Sequence, residues 1–387
     1  MFDSHLLRAR LLSDRDAILE SLRRLVEHES PSRVKPALDP LASELQARLE
    51  AVGVEVDRVP NASGGDHLIG RYRGGSAPAI VVVGHFDTVW PSGTLESMPF
   101  RIAGDRAFGP GIYDMKAGFV ILERALAALR EFGIRPAGDL RIVWTSDEEI
   151  GSPTSRGLIE EIARQCAAAL VLEPPLAGGR LKTARKGVGQ YALEVEGKSA
   201  HAGVEPEKGV NAIVELAHQI LEVCSFARPD LGTTLNVGTI EGGTTSNVVP
   251  ASASAVVDVR IATTAEATRI TERFGSLAAK HPGAKLVVRG GINRPPMERT
   301  PRIAELLERA REIARPLGIA LEEGSTGGGS DGNFTAAVGT PTLDGLGVDG
   351  EGAHAPHESI LIPSLLERIL LLTALLAGLD MESLSHE

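Results

Sequence analysis

Short apolar runs that end near a histidine or a carboxylate constrain the fold of this 387-residue chain most strongly. Residues 79–83 contain only alanine, isoleucine and valine, and His85 follows them after one glycine. Residues 140–145 and 169–172 are similar, mainly apolar runs, which lead to Glu148, Glu149 and Glu173. Runs of this kind predict strands buried on both faces, as in parallel sheets. We therefore predict an α/β fold, a doubly wound mixed sheet that binds ligands at the carboxyl ends of its strands.

His85 is predicted to bind a metal ion with the support of Asp87, two residues further along. A carboxylate in this position accepts the other N–H of the imidazole, or that of a neighbouring histidine, and so fixes the tautomer of the ligand. A lone histidine after a strand is more often satisfied by ordinary hydrogen bonds, and an isolated glutamate is usually a solvated surface group. The prediction therefore depends on the whole pattern.

Asp114 belongs to a turn-rich segment, residues 109–118, that leads into a predicted helix over residues 121–129. The simpler interpretation is that Asp114 caps this helix. The alternative is that its carboxylate binds metal together with His85. The local pattern leaves both interpretations open.

Three adjacent acids, Asp147, Glu148 and Glu149, follow the second strand directly. Such acids repel one another unless cations neutralise them, and a solvated charged segment rarely follows a core strand. Adjacent carboxylates suit a division of labour. We expect Glu149 to bind metal and Glu148 to act as the general base that takes a proton from water.

Seven motifs follow one another along the chain: GHFDTV (84–89), GPGIYDMK (109–116), DEEIG (147–151), LEP (172–174), SAHAG (199–203), TGGGSD (326–331) and HAPHE (354–358). Together and in this order, they resemble the signatures of the co-catalytic zinc exopeptidases and deacylases. This family includes bacterial glutamate carboxypeptidase, acetylornithine deacetylase, succinyl-diaminopimelate desuccinylase and aminoacylase, and the chain looks most similar to the glutamate carboxypeptidase branch.

The resemblance implies that Asp114 bridges two zinc ions. His85 and Glu173 would complete one site, and Glu149 and His354 the other, with cobalt or manganese as substitutes for zinc. His357 competes with His354 for the last position, but the acid four residues after His354, Glu358, favours His354.

A change of pattern predicts a domain inserted into the metal domain. Residues 185–295 read as strand, helix, strand, strand, helix and strand, which is an α+β unit of the split βαβ, ferredoxin-like kind. The metal domain would then consist of residues 1–184 and 296–387. The resemblance implies that the insertion is a lid that also forms a homodimer.

Four residues are expected to act on the substrate. In the family, the histidine that matches His201 reaches the active site of the other subunit and donates to the oxyanion, although the motif alone fits an exposed loop histidine. Asn247 and Arg260 match the pair that holds the substrate carboxylate, for which the planar donors of arginine are suited. Gly329 belongs to the triple-glycine loop, which lacks the ending of a phosphate-binding loop.

Composition excludes several other classes of protein. A net charge of −11 argues against a nucleic-acid partner, which needs clustered lysine and arginine. No apolar run has membrane-spanning length, and the first residues lack a signal-peptide core, so we expect a cytoplasmic protein without a membrane partner. Two cysteines, Cys166 and Cys224, are interpreted as small core residues.

The sequence thus predicts a di-zinc metallohydrolase that cleaves an amide bond next to a free carboxylate. A glutamate-carboxypeptidase-like exopeptidase acting on a small peptide is the first hypothesis. The alternative is a deacylase of N-acyl amino acids, of the acetylornithine or desuccinylase type. A non-catalytic binding protein on the same fold is disfavoured, because both Glu148 and Asp114 are present.

Overall fold

A computed structural model describes residues 3–381 of the chain. These residues form two compact units. The first unit consists of residues 3–184, 299–326 and 330–381, and the inserted unit consists of residues 185–298 with residues 327–329.

The α-helices of the described residues are α1 (Ser4–Ser13), α2 (Arg15–Glu27), α3 (Lys35–Ala51), α4 (Ala117–Glu131), α5 (Arg156–Arg164), α6 (Ala212–Cys224), α7 (Thr264–Gly275), α8 (Pro301–Ala314), α9 (Gly332–Ala337) and α10 (Ile362–Gly378). The strands are β1 (Glu55–Val59), β2 (His67–Tyr72), β3 (Ala77–His85), β4 (Arg101–Ala103), β5 (Arg106–Phe108), β6 (Gly138–Thr145), β7 (Ala168–Val171), β8 (Leu181–Arg185), β9 (Gly187–Glu196), β10 (Thr234–Gly242), β11 (Ser252–Ile261), β12 (Lys285–Arg294), β13 (Glu323–Thr326), β14 (Thr342–Asp344), β15 (Gly350–Glu351) and β16 (Ser359–Leu361).

The main sheet has the strand order β1-β2-β6-β3-β7-β14-β8-β13. Strand β3 lies parallel to β6 on one side and to β7 on the other, and β14 is parallel to β7. Strands β1 and β2 extend the sheet in antiparallel fashion beyond β6. Because β3, β6 and β7 run in the same direction, the residues that follow all three meet at one edge of the sheet.

Both faces of this sheet are covered by apolar residues. Alternate residues of β3 belong to different cores: Ile80 and Val82 pack into the larger cluster, and Val81 and Val83 into the smaller one. This alternation follows from the two-residue period of a strand and explains why residues 79–83 of β3 are all apolar. The predicted α/β fold with a mixed sheet is confirmed.

The inserted unit is built on one antiparallel sheet with the strand order β10-β11-β9-β12. Its elements follow one another as β9, α6, β10, β11, α7 and β12, which is the predicted split βαβ pattern. Both helices contribute to its separate core, where the rings of Tyr191 and Phe274 stack with centroids 3.7 Å apart. The inserted α+β unit is therefore confirmed as well.

Two further observations concern predictions made from composition. Between residues 3 and 381, no helix combines the length and the hydropathy that a membrane span requires. Cys166 is a buried free thiol, as predicted, but the prediction for Cys224 was wrong. Cys224 is the last residue of α6 and its side chain is exposed, because apolar neighbours in the sequence do not determine which face of a helix end is covered.

Candidate metal centre and active site

His85 ends strand β3, and both nitrogens of its ring have defined surroundings. Its Nδ1 lies 3.1 Å from the backbone carbonyl of Asp87 and 3.4 Å from a carboxylate oxygen of the same residue. We assign the ring hydrogen to Nδ1, because both neighbours are acceptors. In the neutral ring that a metal ligand requires, Nε2 then carries a lone pair, and it faces Asp114 at 3.2 Å and Glu173 at 3.3 Å.

Asp114 presents its two carboxylate oxygens to two different histidines. Oδ1 lies 3.2 Å from Nε2 of His85, and Oδ2 lies 3.4 Å from Nε2 of His354. Helix α4 begins at Ala117 without a side-chain cap, so the cap interpretation of Asp114 does not hold. The carboxylate is therefore free to stand between the two imidazoles.

His354 completes a second group of donors with Glu149. Its Nε2 lies 3.2 Å from Oε2 of Glu149, as well as 3.4 Å from Asp114. His357, the competing candidate, has an exposed side chain and no ion pair with any carboxylate within residues 3–381. The structure thus brings His354 to the carboxylates and leaves His357 outside the cluster.

Asp87 holds the segment that contains the two adjacent glutamates. Its completely buried carboxylate accepts the backbone N–H of Glu148 at 3.1 Å and that of Glu149 at 3.2 Å. The hydroxyl of Ser32 donates to the same carboxylate at 2.6 Å. Asp87 thus lies beside Nδ1 of His85, where support was predicted, and it also fixes the position of the 148–149 backbone.

The three adjacent acids separate once the chain is folded. Asp147 turns away from the cluster and accepts hydrogen bonds from the backbone and hydroxyl of Thr154 and from the hydroxyl of Ser155. Glu148 stays close to the first group, since donor atoms of Glu148, His85 and Glu173 all lie within 4.8 Å of one another. Only two of the three acids therefore belong to the site.

Glu358 anchors the loop that carries Asp114. Its buried carboxylate accepts four hydrogen bonds, from the backbone N–H groups of Gly111, Tyr113 and Asp114 and from the indole N–H of Trp90. The sequence pattern singled out Glu358 only as the acid that follows His354. Trp90 was missed, because nothing in its neighbourhood in the sequence points to a residue 268 positions away.

The charges of the cluster favour a cation. Burial opposes ionisation of Asp114, but the hydrogen bonds of His354 and His85 hold its pKa well below the ordinary range. The contacts with Asp114 and Glu149 raise the pKa of His354 to about 10. Burial would lower the pKa of His85, yet Asp114, Asp87 and Glu173 raise it well above its usual value. The carboxylates therefore attract positive charge strongly, whether it comes from protonated imidazoles or from a bound cation.

Glu149 gives the clearest sign that the cluster fits a metal. Burial raises the pKa of its carboxyl to about 7, and its Oε1 is buried without a hydrogen-bond partner among the residues that the structure describes. A buried carboxylate oxygen without a partner is unfavourable in a protein interior. Two imidazole nitrogens and several carboxylate oxygens that converge in this way are the donors that zinc accepts.

The four predicted substrate residues all lie in the inserted unit. His201 is exposed, and its Nδ1 accepts the backbone N–H of Gly203 at 3.1 Å, which leaves an N–H on Nε2 of the neutral ring. Asn247 lies next to the His201 loop, because the backbone carbonyl of Asn247 accepts the N–H of Ala202. Arg260 lies beside the triple-glycine loop, where its guanidinium pairs with Asp258 at 2.9 Å.

A second arginine, Arg185, holds the same glycine loop. It is buried and donates to the carbonyls of Gly328 and Gly329 at 3.3 and 3.0 Å. A Cβ at Gly329 would lie 2.7 Å from Arg294 and 2.9 Å from Val188, so a side chain at this position would displace its neighbours.

Comparisons with known proteins relate this chain to a peptidase family. Residues 81–378 match the profile of peptidase family M20/M25/M40. Carboxypeptidase G2 from Pseudomonas sp. (strain RS-16) is 31% identical over 93% of this chain and 88% of its own length. A succinyl-diaminopimelate desuccinylase from Aromatoleum aromaticum is 28% identical over 83% of this chain and 86% of its own. The crystal structure of aminopeptidase PepT from Bacillus cereus superposes with a TM-score of 0.79 at 25% identity, covering 94% of this chain and 98% of that one.

Proposed function

This chain belongs to peptidase family M20/M25/M40, and on that premise we propose that it is a two-zinc hydrolase of amide bonds that stand next to a free carboxylate. The observation that carries the proposal is the position of Asp114 between His85 and His354. One further carboxylate accompanies each histidine, Glu173 on one side and Glu149 on the other. Each half of the cluster therefore offers three donors to one ion.

The proposed ligands are His85, Asp114 and Glu173 for one zinc ion and His354, Asp114 and Glu149 for the other. Bound zinc supplies Lewis acidity, which polarises the scissile carbonyl and makes water acidic near neutral pH. Three protein ligands for each ion would leave open the fourth coordination position, which a hydrolytic site requires. The buried Oε1 of Glu149 would gain a partner in such a site.

Glu148 is proposed as the proton carrier. Its backbone is held by Asp87, and its carboxylate lies near His85 and Glu173 without being one of the proposed ligands. It would take a proton from the attacking water and return it to the nitrogen of the departing amine. Asp87 acts through the backbone of Glu148 and the ring of His85, and is therefore a positioning residue.

The inserted unit would supply the remaining contacts with the substrate. The Nε2–H of His201 suits donation to the oxyanion that forms at the attacked carbonyl. The guanidinium of Arg260 and the amide of Asn247 suit the free carboxylate of the substrate. Arg185 would keep the glycine loop around Gly329 in place.

A homodimer through the inserted unit is part of the proposal. Strand β10 is an edge strand whose Ile240 is 60% exposed, and helix α6 exposes Ile213, Val214 and Leu221, the last at 71%. Edge strands with exposed apolar residues are surfaces on which a second chain pairs. A cytoplasmic location stays a prediction from the sequence.

A glutamate-carboxypeptidase-like exopeptidase remains the first choice of activity, because carboxypeptidase G2 is similar over most of both chains. Deacylation of N-acyl amino acids is the second choice, supported by the similarity to a succinyl-diaminopimelate desuccinylase. Both reactions use the same proposed centre and differ in the group on the acyl side of the amide.

A hydrolysis screen of the zinc-loaded protein separates these activities. Dipeptides that end in glutamate and folyl-type glutamates would be compared with N-acetyl and N-succinyl amino acids, with the Glu148→Gln variant as a matched blank. We expect kcat/KM for the glutamate-ending substrates to exceed that for the N-acyl amino acids by at least about tenfold. The reverse preference would support the deacylase. No hydrolysis above the blank in either group would contradict the proposed function.

A further inference from the structure

Two histidines come together in the inserted unit, in a place that the proposed reaction does not use. His218 lies on α6, and His281 lies in the segment between α7 and β12. Their ring centroids are 5.2 Å apart, and the ring planes are inclined by 40°. The two imidazoles are thus neighbours across the space between two separate elements.

This separation fits two histidines that share one metal ion. Zinc binds imidazole nitrogen at about 2.0–2.1 Å in tetrahedral geometry, which places the centroids of two coordinating rings about 5 Å apart. The inclination of the planes imposes no conflict, since each ring can turn about its own bond to the metal. The distance between the two rings therefore already matches that of a pair sharing one ion.

His281 is already oriented by a buried carboxylate. Its Nδ1 lies 2.7 Å from Oε2 of Glu215, a residue of α6 whose side chain is completely buried. Glu215 also accepts the backbone N–H groups of Lys280 and His281 and a hydrogen bond from the amide of Gln219. The ring hydrogen is therefore held on Nδ1, and Nε2 of His281 offers its lone pair. A carboxylate that fixes the tautomer of a histidine in this way is the usual outer partner of a metal ligand.

A further carboxylate lies on the same helix as His218. Glu222 lies four residues after His218 on α6, so the two side chains share one face of the helix. Its Oε2 pairs with Nζ of Lys280 at 2.6 Å, and both groups are partly exposed. The carboxylate of Glu222 is therefore already paired with an ammonium group, and the two imidazoles are the donors on which the site depends.

We propose that His218 and His281 bind a divalent transition-metal ion such as zinc, with Glu215 as the group that orients His281 and with water completing the coordination. Such an ion would link α6 to the segment after α7 and so stabilise the inserted unit. The site shares no residue with the cluster around Asp114. It therefore stands or falls independently of the proposed hydrolase function.

Calorimetric titration with zinc chloride tests the proposal on the whole protein. Protein already loaded at its tightest zinc sites should bind one further zinc ion per chain. His218→Ala should weaken this additional binding by at least about tenfold, since even the loss of an outer partner of a metal ligand has that effect. The side chain of His218 is exposed and makes no hydrogen bond among residues 3–381, so the variant is expected to fold. His5→Ala, which removes an exposed histidine from α1, is the matched control and should bind as the wild type does.

Cobalt provides a second measurement that does not depend on folding stability. Cobalt added to the zinc-loaded wild type should give d–d absorption bands that are absent from His218→Ala and from His281→Ala. The proposal is overturned if wild-type protein takes up no further zinc at concentrations up to about 1 mM. An ion that binds more weakly than this would contribute little to stability. The proposal is equally overturned if His218→Ala binds the additional ion as tightly as the wild type does. In either case the two rings merely pack against each other.

Discussion

The carboxylate of Glu358 accepts the backbone N–H of Asp114 at 3.1 Å, although 244 positions separate the two residues in the sequence. Through this contact and three others, Glu358 holds the loop that presents Asp114 to both histidines. The proposed bridging ligand is thus positioned by a residue that does not belong to the ligand set.

Replacing Glu358 by glutamine should weaken zinc binding without removing a ligand. The amide has a single acceptor oxygen, so about half of the four hydrogen bonds would be lost, and an outer partner of this kind contributes about 10–100-fold to metal affinity. Zinc affinity measured by competition with a chelator checks this expectation. Glu305→Gln, at an exposed position of α8, is the control. Unchanged affinity in Glu358→Gln would show that the loop holds its shape without Glu358.

The adjacent acids Glu148 and Glu149 should respond differently to the same change. Glu148→Gln should lower kcat by about 10²–10⁴ with nearly unchanged zinc content, because it loses the basic oxygen only. Glu149→Gln should lose zinc, since its carboxylate is a proposed ligand. Metal analysis of both purified variants, together with their kcat, checks the two expectations. Variants that behaved alike would contradict the division of labour.

Most of this site was predictable because its residues follow strands with a strong pattern. His85, Glu149 and Glu173 come after apolar runs, and parallel strands bring their carboxyl ends to one edge of a sheet. The anchoring contacts were not predictable. Asp87 accepts hydrogen bonds from the 148–149 backbone, and Glu358 accepts them from the 111–114 backbone. Contacts of this kind join a side chain to distant main-chain groups and leave no periodic pattern in the sequence.

The orientation and burial of individual side chains could not be predicted from local sequence patterns. Asp147 looked like a third member of the acidic run, yet hydrogen bonds from Thr154 and Ser155 turn it away from the cluster. Cys224 has apolar neighbours in the sequence and is exposed, because it ends a helix. The pairing of His218 with His281 also requires the folded chain, since one residue lies on α6 and the other lies after α7.

The inserted unit should lose an identifiable part of its stability in acid. Burial raises the pKa of Glu215, but hydrogen bonds outweigh this effect and lower the pKa to about 2 from an ordinary 4.5. They come from the backbone of Lys280, the side-chain amide of Gln219, and both the ring and the backbone of His281. A depressed pKa means that this stabilisation is present above pH 4.5 and is lost as the pH falls towards 2. Glu215→Gln should therefore lower the free energy of unfolding by about 1–3 kcal/mol at neutral pH. Denaturant unfolding at several pH values should show this difference shrinking between pH 4.5 and 2, and a constant difference would contradict it.

His201 should act across the proposed dimer. His201→Ala should lower kcat by about 10²–10³ with zinc content unchanged, as expected for a lost oxyanion donor. Mixing this variant with Glu148→Gln creates hybrids in which one site carries both defects and the other is whole, so about one quarter of wild-type activity should return at equal amounts. If hybrids form and activity stays absent, His201 does not serve the partner's site.

Anomalous diffraction at the zinc absorption edge tests the central claim most directly, namely that Asp114 bridges two ions. Crystals grown with zinc should show two peaks about 3.5–4 Å apart, as in other paired metal sites. One peak should lie beside His85 and Glu173 and the other beside His354 and Glu149, with Asp114 between them. A peak at His218 and His281 has no bearing on this claim. A single peak at the Asp114 cluster in fully active protein, or no peak there at all, would contradict it.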